Sequence, residues 1–160
     1  ARALGAARAE GATGLEAFAG GAGRLAPATA LNGAAVIDDT YNANPDSVHA
    51  AIRVLAGCGG DTWLVFGDIG ELGAEAPALH AEIGRYAREH GIRHLVTIGE
   101  HSAGATQAFG AGAVHGADID AVLQALAATG RGSTVLVKGS RFMKLERVGA
   151  ALTGKTATGH

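Results

Sequence analysis

Short runs of apolar residues alternate along this chain with stretches of helical spacing. The runs 34–38, 62–67 (Thr62-Trp63-Leu64-Val65-Phe66-Gly67), 94–98 (His94-Leu95-Val96-Thr97-Ile98) and 134–138 (Thr134-Val135-Leu136-Val137-Lys138) are almost continuously hydrophobic, and a shorter one lies near 113–115. Such runs suit strands buried on both faces. Between them, positions such as Val48, Ala51, Ile52 and Leu55 recur at helical intervals, which predicts helices over 45–57, 75–90, 101–109, 118–128 and 143–152. The last carries Phe142, Leu145, Val148 and Leu152 on one face. Strand-then-helix alternation predicts an α/β fold: a Rossmann-like, mostly parallel sheet with helices on both faces. Residues 24–32 can add an edge strand, which need not be parallel.

In such a sheet the loops at the carboxyl ends of the strands share one rim, where ligands bind. Three of these loops are richer in polar groups than a turn requires. The first is Asp38-Asp39-Thr40-Tyr41-Asn42-Ala43-Asn44, with Asn44 placed to cap a helix whose first residue is Pro45. The second, Gly67-Asp68-Ile69-Gly70-Glu71-Leu72-Gly73, combines three glycines, which permit close approach of backbone to a ligand, with two acids. In the third, Lys138-Gly139-Ser140-Arg141, two cations and a hydroxyl stand at a helix start and favour a carboxylate or phosphate. Solvated surface charge would account for the second and third loops equally well.

Composition narrows the function classes. The 160 residues carry a formal charge of −2, so neither nucleic acid nor an anionic membrane is an expected partner. The single Cys58 excludes an internal disulfide and fits a reducing compartment. No apolar run approaches the roughly 20 residues of a membrane span. The seven histidines fall in no zinc-site spacing, and no metal ligand set is expected. Gly149 to Thr156 matches GxxxxGK[ST], but the chemistry needs that loop between a strand and a helix, and here it follows a helix. It reads as a chance match. Gly57-Cys58-Gly59-Gly60 precedes a strand rather than following one, so a dinucleotide site of the usual kind is not expected.

Taken in order, VIDDTYNANPDS, FGDIGELG and VLVKGSRFMKLE resemble the C-terminal domain of the Mur ligase family, over roughly residues 24–152. The helix HAEIGRYAREHGI and the strand end VTIG also fit. Residues 1–23 resemble the end of the family's central ATPase domain, and 153–160 are expected to form a flexible tail. The resemblance implies a cytoplasmic, ATP- and Mg2+-dependent ligase of peptidoglycan precursor synthesis. It is nearest the branch that adds D-alanyl-D-alanine to UDP-N-acetylmuramoyl-tripeptide. In that chemistry ATP converts the tripeptide carboxylate to an acyl phosphate, which the dipeptide amine attacks. The P-loop, magnesium ligands and nucleotide-sugar domain of the family lie upstream, so no catalytic residue is expected in this chain and the chain alone should be inactive.

Carried over by position, the resemblance assigns Arg24, Asp39, Asn42 and Asn44 to ATP. It assigns Lys138, Ser140, Arg141 and Phe142 to the dipeptide, with Asp68 and Glu71 orienting its ammonium or the closed domain interface. Two alternatives remain open: a ligase of the same family for another amino component, and a non-catalytic α/β binding module.

Overall fold

A computed structural model describes residues 26–154. Six strands form one sheet in the order β1-β2-β6-β3-β4-β5. They are β1 (Ala26–Thr29), β2 (Ala35–Asp39), β3 (Asp61–Gly67), β4 (His94–Ile98), β5 (Ala113–Gly116) and β6 (Ser133–Lys138). β1 pairs antiparallel with β2, and every other pairing is parallel. The α/β class, the mostly parallel sheet and the antiparallel edge strand all agree with the sequence pattern.

Among the described residues five α-helices cover the two faces: α1 (Pro45–Cys58), α2 (Ala76–Glu89), α3 (Ala103–Phe109), α4 (Ile119–Leu126) and α5 (Glu146–Thr153). The alternation of strand side chains decides which helix packs where. Leu64, Phe66, Ile37 and Leu136 bury against Val48, Ile52 and Leu55 of α1, Ile83 and Ala87 of α2 and Phe109 of α3. Trp63, Val65, Val135 and Val137 point the other way, onto Val122 and Leu126 of α4 and Val148 of α5. Fully burying each of the larger aliphatic chains contributes about 1.5–3 kcal/mol before its entropy cost.

This arrangement sets the site. From β2 and β3 the chain leaves toward the face of α1 and α2, whereas from β6, which lies between them, it leaves toward the face of α5. The sheet therefore has a topological switch point, and a crevice opens there at the carboxyl ends of the strands.

One expected boundary is displaced. The helix anticipated from 143 begins at Glu146, preceded by a 3-10 turn at Arg141–Met143. Lys144, between them, adopts a left-handed conformation (φ 54°) that no helix propagates through. Phe142 consequently leaves the apolar face of the helix and is 62% exposed. The seat of α5 is Leu145 instead, 1% exposed. A Cβ on Gly67 would lie 2.6 Å from Leu145 Cδ1, and one on Gly139 would lie 2.7 Å from it. Two strand-closing glycines thus make room for one leucine. Residues Gly149–Leu152 of the GxxxxGK[ST] match lie inside α5, and its Lys155 and Thr156 lie outside the described residues.

Candidate functional site

The three polar rim loops meet in one open cleft of about 690 Å³. Asn42 and Asn44 from the β2 loop, Glu71 from the β3 loop and Ser140, Arg141 and Phe142 from the β6 loop all line it. Six of the ten residues singled out in the sequence therefore share one cavity. Asp39 and Lys138 lie at the adjoining strand ends, joined by a largely buried ion pair of 3.1 Å. Asp68 sits beside the cleft but does not line it, and Arg24 lies outside the described residues.

The β2 loop is shaped by its own side chains. Asp38 Oδ1 accepts from the Thr40 amide (3.1 Å) and hydroxyl (2.6 Å), closing a tight turn after the strand. Asn44 is the N-cap of α1: its Oδ1 accepts from the Ser47 amide at 2.8 Å, and Ser47 Oγ accepts from the Asn44 amide at 3.0 Å. A cap of this kind stabilises a helix by about 1 kcal/mol and occupies the side-chain oxygen. Lys138, 3% exposed, donates to the Asn42 carbonyl at 2.8 Å as well as to Asp39. It thereby ties the end of β6 to the β2 loop. Its charge is spent inside the protein, so the lysine is a brace under the cleft.

The β3 and β6 loops are laced together. The Ser140 amide donates to the Asp68 carbonyl at 3.1 Å, and the Gly70 amide donates to Ser140 Oγ at 2.7 Å. With a lone pair of that hydroxyl engaged, its own proton is left to donate to a ligand acceptor. Gly70 lets the backbone pass close to the Phe142 ring: a Cβ there would stand 3.1 Å from it. Arg141 is exposed and lies over the Tyr41 ring, 5.2 Å from its centroid, which orients the guanidinium above the cleft. Glu71 holds a left-handed backbone (φ 63°). A residue other than glycine in this conformation costs on the order of 1 kcal/mol, and such strain clusters at sites of function.

Asp68 serves a different purpose. Its carboxylate accepts from the His101 amide (3.0 and 3.1 Å), the Ser102 amide (2.8 Å) and the Ser102 hydroxyl (2.7 Å). Gly99 makes room for it, since a Cβ there would lie 2.4 Å from Asp68 Oδ1. Burial pushes the carboxyl pKa up, but the bonds from His101 and Ser102 more than offset this, and the net value falls below the ordinary aspartate range. The acid therefore fastens the β3 loop to the β4–α3 turn. Sequence reasoning identified Asp68 as unusual but could not see its partners, which are 33 and 34 residues away. It also passed over Tyr41 as the platform for Arg141.

Among the described residues no group of three or more His, Cys, Asp or Glu side chains is arranged to hold a metal ion. No described helix is long and apolar enough to cross a membrane.

A guanidinium, a carboxylate, a hydroxyl donor and an aromatic face thus line a switch-point cleft in an α/β domain, a set of groups complementary to a small charged ligand. Residues 23–141 match the family model for the Mur ligase, glutamate ligase domain, and the chain belongs to that family. It is 41% identical over 133 residues to the UDP-N-acetylmuramoyl-tripeptide--D-alanyl-D-alanine ligase of Escherichia coli (strain K12), an alignment covering 81% of this chain and 29% of that protein. To the ligase of the same name from Mycobacterium tuberculosis (strain ATCC 25618 / H37Rv) it is 36% identical over 162 aligned positions, covering 85% of this chain and 32% of that protein. Among solved structures, MurF from Acinetobacter baumannii superposes with a TM-score of 0.73 at 33% identity, covering 89% of this chain and 33% of that one. The MurF ligase of Thermotoga maritima, solved in complex with ADP, superposes with a TM-score of 0.75 at 22% identity, covering 85% and 31% respectively, and supports the fold alone. The chain thus spans about a third or less of the length of these relatives.

Proposed function

We propose that this chain is the part of a longer, cytoplasmic, ATP-dependent ligase that receives D-alanyl-D-alanine and closes over ATP during its addition to UDP-N-acetylmuramoyl-tripeptide. The observation that carries the reading is the cleft itself. It offers Arg141 for a carboxylate, Glu71 for an ammonium, Ser140 for an acceptor oxygen and the exposed face of Phe142 for a methyl group. A zwitterionic dipeptide carries each of these features, and about 690 Å³ is an ordinary size for a small-molecule site.

In the proposed reaction ATP phosphorylates the terminal carboxylate of the tripeptide. The dipeptide amine then attacks the acyl phosphate carbonyl, loses its proton, and inorganic phosphate leaves from the tetrahedral adduct. This chain contributes position: Arg141 anchors the dipeptide by its carboxylate, and Glu71 accepts a hydrogen bond from the amine and aims it outward. On the nucleotide side the reading places Asp39, oriented by Lys138, together with Asn42 and Arg24. Asn44 contributes chiefly as the α1 cap. No ligand for the Mg2+ that accompanies ATP is assigned to this chain. Residues 24–152 form the working unit.

Steady-state phosphate release tests the proposal. The full-length protein should turn over only with ATP, the UDP-tripeptide and D-alanyl-D-alanine together, and residues 1–160 alone should be silent. R141A should raise the dipeptide KM about 10- to 100-fold, the value of a charge-assisted carboxylate contact, and leave the KM for ATP in place. ATPase or ligase turnover by residues 1–160 alone would overturn the reading. Preference for a different amine would assign another ligase of the family, and flanking sequence without an ATPase domain would assign a binding module.

A further inference from the structure

The wall of the cleft begins at Ile69, and a histidine that no part of the proposed chemistry uses holds that wall from behind. The Ile69 amide donates to His80 Nε2 at 3.0 Å, and His80 Nδ1 lies 2.6 Å from the Ala76 carbonyl. Together these bonds fix the tautomer: Nδ1 carries the proton toward the carbonyl, and Nε2 accepts. His80 is fully buried, its ring 5.6 Å from Phe66 and 5.5 Å from His101. The titratable groups facing it from neighbouring elements are Asp68 of the β3 loop and His101 of the β4 loop. A leucine or phenylalanine would fill this core position at no polar cost. Neither would satisfy Ile69.

We propose that His80 is a positioning residue for the dipeptide side of the cleft. As the neutral Nδ1–H tautomer it holds the Ile69–Glu71 wall in place, and a proton on Nε2 releases the wall and weakens dipeptide capture. The proposal rests on the acceptor reading of the cleft given above. Protonation sets one buried donor against another: the Ile69 N–H loses its acceptor and the new Nε2–H faces it without one. The bond from Gly70 to Ser140 and the packing of the Ile69 side chain in the core then hold that segment without the histidine. Burial lowers the basicity of His80, the Ala76 carbonyl and the Asp68 carboxylate partly restore it, and His101 lowers it again. The net direction is downward, so the ring is neutral at pH 7 and takes up its proton below the ordinary histidine range.

The test uses the 160-residue chain labelled with 15N, as wild type and as His80→Gln, titrated from pH 7.0 to 4.5. D-alanyl-D-alanine keeps one ammonium and one carboxylate through most of this window, with terminal pKa values of about 8 and 3.5. The Ile69 and Gly70 amide resonances should move with the midpoint of the His80 ring nitrogens. Wild-type affinity for D-alanyl-D-alanine should fall about tenfold across that midpoint, the value of one buried hydrogen bond. His80→Gln, which keeps an acceptor that does not titrate, should lack this tenfold step and show only the loss at the acid end that ordinary carboxylates in the cleft cause in both proteins. An Ile69 amide indifferent to His80 protonation overturns the proposal, and this measurement needs only wild-type protein. So does a fall of the same size and midpoint in His80→Gln, which would place the titration elsewhere. If Ile69 and Gly70 follow His80 while no dipeptide binds at any pH, the acceptor reading fails and the structural dependence of the wall on His80 stands.

Discussion

Replacing Asp68 by alanine separates the two roles that the β3 loop offers this residue. If the carboxylate fastens the β4–α3 turn, the cost is structural. Three donors lose their acceptor: the His101 amide, the Ser102 amide and the Ser102 hydroxyl. Ser102 is fully buried, so water does not readily take the place of the lost oxygen there. At about 1–1.5 kcal/mol for each bond, the expected loss is about 3–4 kcal/mol. That is a large part of the roughly 5–15 kcal/mol that holds an ordinary domain together. Urea unfolding at pH 7 measures it directly. With a slope of about 2 kcal/mol per molar, the midpoint should fall by about 1.5–2 M. Asp68→Asn keeps one oxygen and should lie between alanine and wild type. The pH dependence carries a second signature. The folded pKa of Asp68 is depressed, so its contribution is complete above the unfolded value of about 3.9 and is lost as pH falls through the folded one. Wild type and Asp68→Ala should therefore converge in stability in acid. A midpoint shift below about 0.3 M, accompanied by lost dipeptide affinity, would refute the structural role and return Asp68 to the ligand.

Lys138→Met should cost about 3–5 kcal/mol in the same unfolding experiment, because it removes the buried cation that pairs with the Asp39 carboxylate and holds the Asn42 carbonyl; a change below about 1 kcal/mol would mean that the pair contributes little to the fold. Leu145→Ala should cost about 2–5 kcal/mol, since it removes a fully buried side chain from above Gly67 and Gly139 and leaves a cavity there. Glu71→Gly should leave stability equal or raise it by up to about 1 kcal/mol through relief of the left-handed backbone, while dipeptide affinity falls; loss of stability would show that the strain is already compensated. His80 contributes stability in its neutral form, which is fully present above about pH 6.5 and lost as pH falls through its lower folded value, and His80→Gln should flatten that part of the stability–pH curve.

The fold was legible because both of its periodicities are clean. Continuous apolar runs of four to seven residues, separated by amphipathic segments, admit few architectures besides a covered parallel sheet. The last helix departs from the expected boundary for a local reason. Its apolar spacing includes Phe142, but the left-handed Lys144 resets the phase and starts the helix at Glu146. A single backbone dihedral leaves no trace in hydrophobic spacing. In the candidate site, the rim loops could be located because residues such as Glu71 and Arg141 serve no turn. Their use could not be read in advance. Asp68 and Glu71 are three positions apart in one loop, yet one points to Ser102 and the other lines the cleft. Lys138 and Arg141 are likewise both cations of one turn, and only the arginine remains exposed. Each distinction depends on contacts from distant segments, which spacing along the chain does not encode.

Titration of the 15N-labelled chain at pH 7 with D-alanyl-D-alanine tests the central claim most directly. Saturable shifts should concentrate at Gly70, Glu71, Ser140, Arg141 and Phe142, and R141A should abolish them at the same dipeptide concentrations. Saturable binding that leaves these amides unmoved, or shifts confined to the opposite rim near Asp61 and Gly132, would contradict the assignment of the cleft.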